Sequence, residues 1–200
     1  MNFEQSIVYT EQFFSLVRQY GDVPDQDLRL VVEKSRLVTM RQGEHFLRSG
    51  QVCHQIGLII EGIFRIYMVD DEGKEIIRLF PSERSFVVDI NSYYNQIPST
   101  ECWEALTDVR MMMWDRPTLD FFERTIPTWY PVTNNMVQRI LSGNMMELSE
   151  MFNDDATTRY RKFMERYPHD LARIPLRHLA SYLGIAPQSL SRIRQQLAKH

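Results

Sequence analysis

Cysteine is scarce: the 200 residues hold two, Cys53 and Cys102. That excludes a disulfide framework, a cysteine-rich zinc site and a four-thiolate iron–sulfur cluster. Long apolar runs are missing as well. No stretch approaches the ~18 residues a membrane-spanning helix needs. The start, Met1-Asn2-Phe3-Glu4-Gln5, lacks the basic flank and apolar stretch of a signal peptide. A soluble, cytoplasmic protein with no membrane partner is the expectation. Eight Gly and nine Pro leave no basis for collagen-like or low-complexity repeats. The five His (His45, His54, His169, His178, His200) form no H-x-x-x-H pair, and His54 beside Cys53 reads as a strand end. No metal site and no cofactor are expected.

Two further absences are local. Residues 171–200 contain no acidic side chain, and no Lys or Arg lies between Arg84 and Arg110. The first belongs to a wider asymmetry. Residues 155–200 carry nine basic side chains against three acidic ones, a balance of +6, which leaves −9 for residues 1–154 within a net charge of −3. Charge divided in this way points to a nucleic-acid or membrane-surface module at one end of the chain.

What is present falls into three segments. Residues 5–19 carry apolar positions three and four apart and read as a helix. Gly21 ends it, and Pro24-Asp25 opens a second over about 24–34. From Leu37 the period changes to short β-rich runs at 37–40, 56–60, 63–69, 76–80, 86–90, 103–106 and 110–114. Asp70-Asp71-Glu72-Gly73-Lys74 reads as a hairpin turn. Closely spaced short strands of this kind predict an antiparallel barrel or jelly roll. Helical periodicity returns over 118–124 and then over 128–152. The long segment has apolar positions at Val132, Met136, Val137, Ile140, Leu141, Met145, Leu148, Met151 and Phe152. That stripe reads as a linker helix packing on its own barrel or, as the preferred expectation, as a dimer seam carried by Val132, Met136, Ile140, Met145 and Leu148. The segments are therefore drawn as an effector domain (1–127), a linker and dimerisation helix (128–154) and a C-terminal helical domain (155–200).

The last segment holds the sharpest pattern. Residues 175–183 read as a helix, Gly184-Ile185-Ala186-Pro187 breaks it, and 188–197 form a second. This is the helix-turn-helix grammar. Ala180 is small where the helices approach, Gly184 supplies a left-handed turn residue, and Leu179, Leu183, Leu190, Ile193 and Leu197 fill the wedge. Gln188, Ser189, Ser191 and Arg192 are the expected base contacts, since Gln pairs with adenine and Arg with guanine in the major groove. Arg177, His178, Arg194 and Lys199 are the expected phosphate contacts. Gln195 projects from the same polar face. Double-stranded DNA and a second copy of the chain are the expected partners, with RNA polymerase a further candidate.

The order helix, small β-barrel, long helix, helix-turn-helix resembles the Crp/Fnr family of bacterial transcription regulators. Arg41-Gln42-Gly43-Glu44, Gly50 and Ile60-Glu61-Gly62-Ile63-Phe64-Arg65-Ile66-Tyr67 look like the family's β-roll glycines and strands. Ile174-Pro175-Leu176 to Ser191-Arg192-Ile193 resembles its short Bacteroidetes-type members. The resemblance implies an α+β chain: an N-terminal cyclic-nucleotide-binding-like jelly roll (double-stranded β-helix), a dimerisation helix and an all-α helix-turn-helix. It places base-reading positions at Pro187, Gln188 and Arg192. Pro187 has no donor to offer, and the residues after the second helix are too few for the β-hairpin wing of many relatives.

The family's cyclic-nucleotide cassette is a Gly-Glu pair followed by Arg-Ser. Here Val88 stands for the glycine, Asp89 for the Glu, and Ser99-Thr100-Glu101 where Arg-Ser belongs. Val88, Asp89, Thr100 and Glu101 are thus the expected effector pocket, without its phosphate cation. Tight cyclic-AMP binding is not expected, because a buried phosphate without a cationic partner is strongly disfavoured. The effector is left unnamed. A sensor acting through protein partners with a vestigial helix-turn-helix is the alternative. An enzyme is not expected, since a cupin-like metal site needs more than His45 and His54 in the barrel.

Overall fold

The computed structural model describes residues 3–198. Helices α1 (Phe3–Val17) and α2 (Asp25–Glu33) precede the strands β1 (Arg36–Met40), β2 (His45–Leu47), β3 (Gln55–Glu61), β4 (Phe64–Val69), β5 (Glu75–Leu79) and β6 (Phe86–Val87). A short helix α3 (Ile90–Asn95) interrupts them before β7 (Cys102–Ala105) and β8 (Val109–Asp115). Five helices follow: α4 (Arg116–Thr125), α5 (Trp129–Asn153), α6 (Ala156–Arg166), α7 (Leu176–Tyr182) and α8 (Pro187–Leu197). No helix among the described residues is long and apolar enough to cross a membrane.

The strands form two four-stranded antiparallel sheets, ordered β1-β8-β3-β6 and β2-β7-β4-β5. This is the expected jelly roll on an α+β chain. Inward-facing residues of both sheets, among them Phe46, Ile59, Phe64, Val87, Trp103 and Met111, bury the sandwich core. The helices α1, α2 and α4 close the outer side of the first sheet. There Phe13 lies 5.6 Å from Trp114, whose indole Nε1 donates to the Val31 carbonyl at 2.7 Å. Gly62, between β3 and β4, is obligatory. Its φ is +105°, and a Cβ would sit 2.4 Å from the Asp108 carbonyl oxygen.

Several elements differ from the sequence expectation. The strand expected over 86–90 stops at Val87, because the Asp89 carboxylate accepts from the Ser92 amide at 2.9 Å and caps α3 instead. The strand β2 was not anticipated, and α6 is a helix of its own.

A second apolar core joins the C-terminal helices to the outer face of the β2-β7-β4-β5 sheet. Ile63, Tyr67, Ile77, Phe80 and Leu106 from the sandwich are continuous with Tyr160 and Phe163 of α6 and with Leu179, Leu183, Leu190 and Ile193. Phe80 meets Phe163 and Tyr182 at ring distances of 6.2 and 5.7 Å. Burial of this kind is worth ~2 kcal/mol per large side chain. The helical unit is therefore docked on the sandwich.

Candidate nucleic-acid interface

The turn between α7 and α8 is built by local chemistry. Gly184 adopts φ +67°, its amide bonds to the Ser181 carbonyl at 3.0 Å, and the Ile185 amide bonds back to Ala180 at 3.0 Å. These two bonds satisfy the last carbonyls of α7 and turn the chain sharply. Pro187 then opens α8 at a position where a missing N–H costs nothing. Fully buried Ala180 and Leu190 let the helices approach. With Leu190 and Ile193 facing inward, Gln188, Ser189, Arg192, Arg194 and Gln195 face solvent along α8, and Ser191 is half-buried. The four expected base-contacting residues thus share one helix, three of them on an open surface.

The expected phosphate contacts separate. Arg177 and Arg194 are exposed. Lys199 lies outside the described residues. His178 is buried at 8% exposure and faces β4 rather than solvent, so it does not join the basic face. The bulk charge also needs correction, because four of the nine basic side chains are engaged within the fold. Lys162 pairs with Asp154 (2.7 Å) and Glu150 (3.4 Å), and Arg166 pairs with Glu147 (3.2 Å) and Glu150 (2.9 Å). Arg173 forks onto Glu83 at 2.8 and 2.9 Å, and Arg159 donates to the Met151 carbonyl at 2.9 Å. Arg161, Arg177, Arg192 and Arg194 are exposed and enter no ion pair among the described residues.

A cavity of about 660 Å³ lies between β5, β6, α3, α5 and α7. Val88, Asp89 and Glu101 line it, but Thr100 is exposed and lies off its wall. Burial, then the neighbouring Asp89, pushes the Glu101 carboxyl above the usual carboxylate range. The stretch from Val88 to Glu101 itself brings no cation to the cavity, but residues distant in sequence do. Arg78 and Arg84, from β5 and the turn after it, and Arg139 of α5 reach its wall.

No family model matches the chain, and no curated protein matches it in sequence. Solved structures do. FixK2 from Bradyrhizobium japonicum superposes with a TM-score of 0.73 at 16% identity, covering 82% of this chain and 85% of that one. CLP, the c-di-GMP-responsive global regulator of Xanthomonas campestris, gives 0.64 at 16% identity over 88% and 92% of the chains. CooA from Carboxydothermus hydrogenoformans gives 0.64 at 15% identity over 84% and 78%. The chain shares the fold of these three proteins. At these identities the likeness is one of architecture.

Within this fold, the long helix α5 divides along its length. Val132 is 5% exposed and belongs to the sandwich core, and half-buried Met136 packs beside it near Phe13 and Trp114. Ile140 is half-buried on the wall of the large cavity. The first two residues expected in the dimer seam are therefore turned onto their own domain, with Ile140 partly so. Leu141, Met145, Leu148 and Phe152 are exposed at 46, 66, 41 and 81%. Their spacing of four, three and four residues makes one stripe on the C-terminal half of α5.

Proposed function

We propose that the chain is a homodimeric, sequence-specific DNA-binding transcription regulator of the Crp/Fnr type. The observation that carries this reading is the open face of α8. There Gln188, Ser189, Arg192 and Gln195 stand clear of solvent-excluding contacts, on a helix held by a sharp turn and an apolar wedge. Gln188 and Arg192 have the donor geometry for adenine and guanine edges, Ser189 and Ser191 add short hydroxyls, and Arg177 and Arg194 flank them for phosphates. The stripe Leu141, Met145, Leu148 and Phe152 supports a second copy as partner, since a/d spacing seats one helix against another. A two-fold pair of α8 helices would read a pseudo-palindrome with half-sites ~34 Å apart.

The cavity beside Val88, Asp89 and Glu101 is the proposed effector site. Glu101 beside Asp89, where the family's cassette would set its phosphate cation, supports an effector other than cyclic AMP, and Arg78, Arg84 and Arg139 elsewhere on the wall favour an anionic one held differently. Titration calorimetry with cyclic AMP is expected to show no saturable heat, and tight binding would overturn this part. The regulator reading is tested by selecting genomic fragments with purified protein at moderate salt. Enrichment of a palindromic site is expected, and binding indistinguishable from random duplex refutes it. Arg192→Ala is expected to relax preference at one base pair by ~1–3 kcal/mol. A loss equal for all sequences would make Arg192 a phosphate contact.

A further inference from the structure

The face of α7 turned away from α8 enters a cluster of charged side chains on the sensor sheet. Arg65 of β4, 7% exposed, is its centre. Its guanidinium binds both carboxylate oxygens of Glu75 on β5 and reaches Glu104 on β7 at 2.8 Å. It lies 4.3 Å from the Tyr67 ring. His45 of β2 adds contacts to Tyr67 (3.2 Å) and Glu104 (3.4 Å). Into this cluster α7 inserts His178. Its Nδ1 is 3.5 Å from Arg65 Nη1, and its Nε2 is 3.4 Å from Arg177 Nε.

Both ring nitrogens of His178 therefore face guanidinium donors. A neutral imidazole has one lone pair to offer them. An imidazolium has none, and it would add a third cation between Arg65 and Arg177. Glu75 and Glu104 face the ring from β5 and β7 and favour its charged form, but both are engaged by Arg65. Burial first, then Arg65 and Arg177, outweigh them and hold the ring below its ordinary value of 6.5.

We propose that the packing of α7 on β4 and β5 is a proton-sensitive latch, closed over neutral His178 and released when His178 is protonated. The sign follows from linkage. The open form takes up a proton as pH falls below 6.5, whereas the closed form resists it until a lower pH. Closure is complete above 6.5 and weakens below it, by up to about tenfold per pH unit. The released form frees α7 and α8 from a fixed position on the sensor sheet.

One amide reports the latch. β5 is the edge strand of its sheet, and the Ile77 amide points outward to the Ser181 hydroxyl of α7 at 3.1 Å, which in turn donates to the Glu75 carbonyl at 3.3 Å. Hydrogen exchange at Ile77, corrected for intrinsic rates and followed by NMR on the full chain, measures closure. Its protection is expected to fall by up to about tenfold between pH 7.5 and 5.5. His178→Gln, neutral throughout, is expected to remove that dependence, and His45→Gln to keep it. A change under twofold in the native chain overturns the latch. So does an undiminished dependence in His178→Gln, or its loss in His45→Gln. Should His178→Gln leave Ile77 unprotected at every pH, the His178 ring titration in the native chain decides: a midpoint below 6.5 supports the latch, and one at or above 6.5 overturns it.

Discussion

Each arginine that neutralises a DNA phosphate releases condensed counterions, so the salt dependence of affinity counts the cations a protein brings to the duplex. The sequence offers nine basic residues in 155–200, which for a dimer gives eighteen and a slope of log K against log salt of about −16. The structure gives a smaller number. Lys162, Arg166 and Arg173 are in ion pairs and Arg159 is turned to carbonyls, leaving four exposed arginines per protomer. Eight per dimer limit the slope to about −7, and Lys199 would extend it to about −9. Doubling the salt from 100 to 200 mM is then expected to weaken binding by roughly a hundredfold. Fluorescence anisotropy on a selected operator between 75 and 300 mM KCl measures this directly. Arg194→Gln, which removes two charges per dimer, is expected to flatten the slope by about 2, whereas Arg173→Gln leaves it unchanged. A slope near −16 would mean that the internal ion pairs open on DNA. A slope shallower than about −2 would refute backbone binding by this face.

Further outcomes test the packing. Met145→Glu and Leu148→Glu are expected to yield folded monomers by light scattering. Val132→Ala should keep the oligomeric state but lose about 2 kcal/mol in urea denaturation, because Val132 belongs to the sandwich core. Gly62→Ala is expected to cost about 3 kcal/mol or more by thermal melting, since its left-handed φ and the Asp108 carbonyl leave a Cβ no room. Gly143→Ala, where a Cβ meets nothing within 4 Å in mid-α5, should instead add about 1 kcal/mol.

What could be read from the sequence was what short-range chemistry dictates. Ala180, Gly184 and Pro187 sit within eight residues, and each answers a need of its own turn, so the helix-turn-helix emerged from spacing alone. The three-residue strand β2 offers too little alternation to register, and it shifts register between His45 and Leu47. The stretch 86–90 is β-branched enough to suggest one strand, but Asp89 spends its carboxylate on the Ser92 amide and starts a helix. In α5 the apolar period was visible over its whole length. Which residues face the sandwich and which face outward depends on where α1 and β8 pass, and no local pattern carries that. His178 looked like a phosphate ligand because its neighbours are basic. Its partner Arg65 lies 113 residues away, and only the fold brings the two together.

The Ser181 hydroxyl at the margin of β5 has a consequence for how the protein can be dissected. An edge strand with unpaired amides is a template for pairing with another chain. Here the Ile77 amide and the Glu75 carbonyl find their partner in α7, while Ile77 and Phe80 lie beneath the C-terminal helices. A fragment ending after α5 would bare that row of backbone groups beside fresh apolar surface. Such a fragment invites strand-to-strand aggregation, so the C-terminal helices double as a guard on the solubility of the sandwich that carries them.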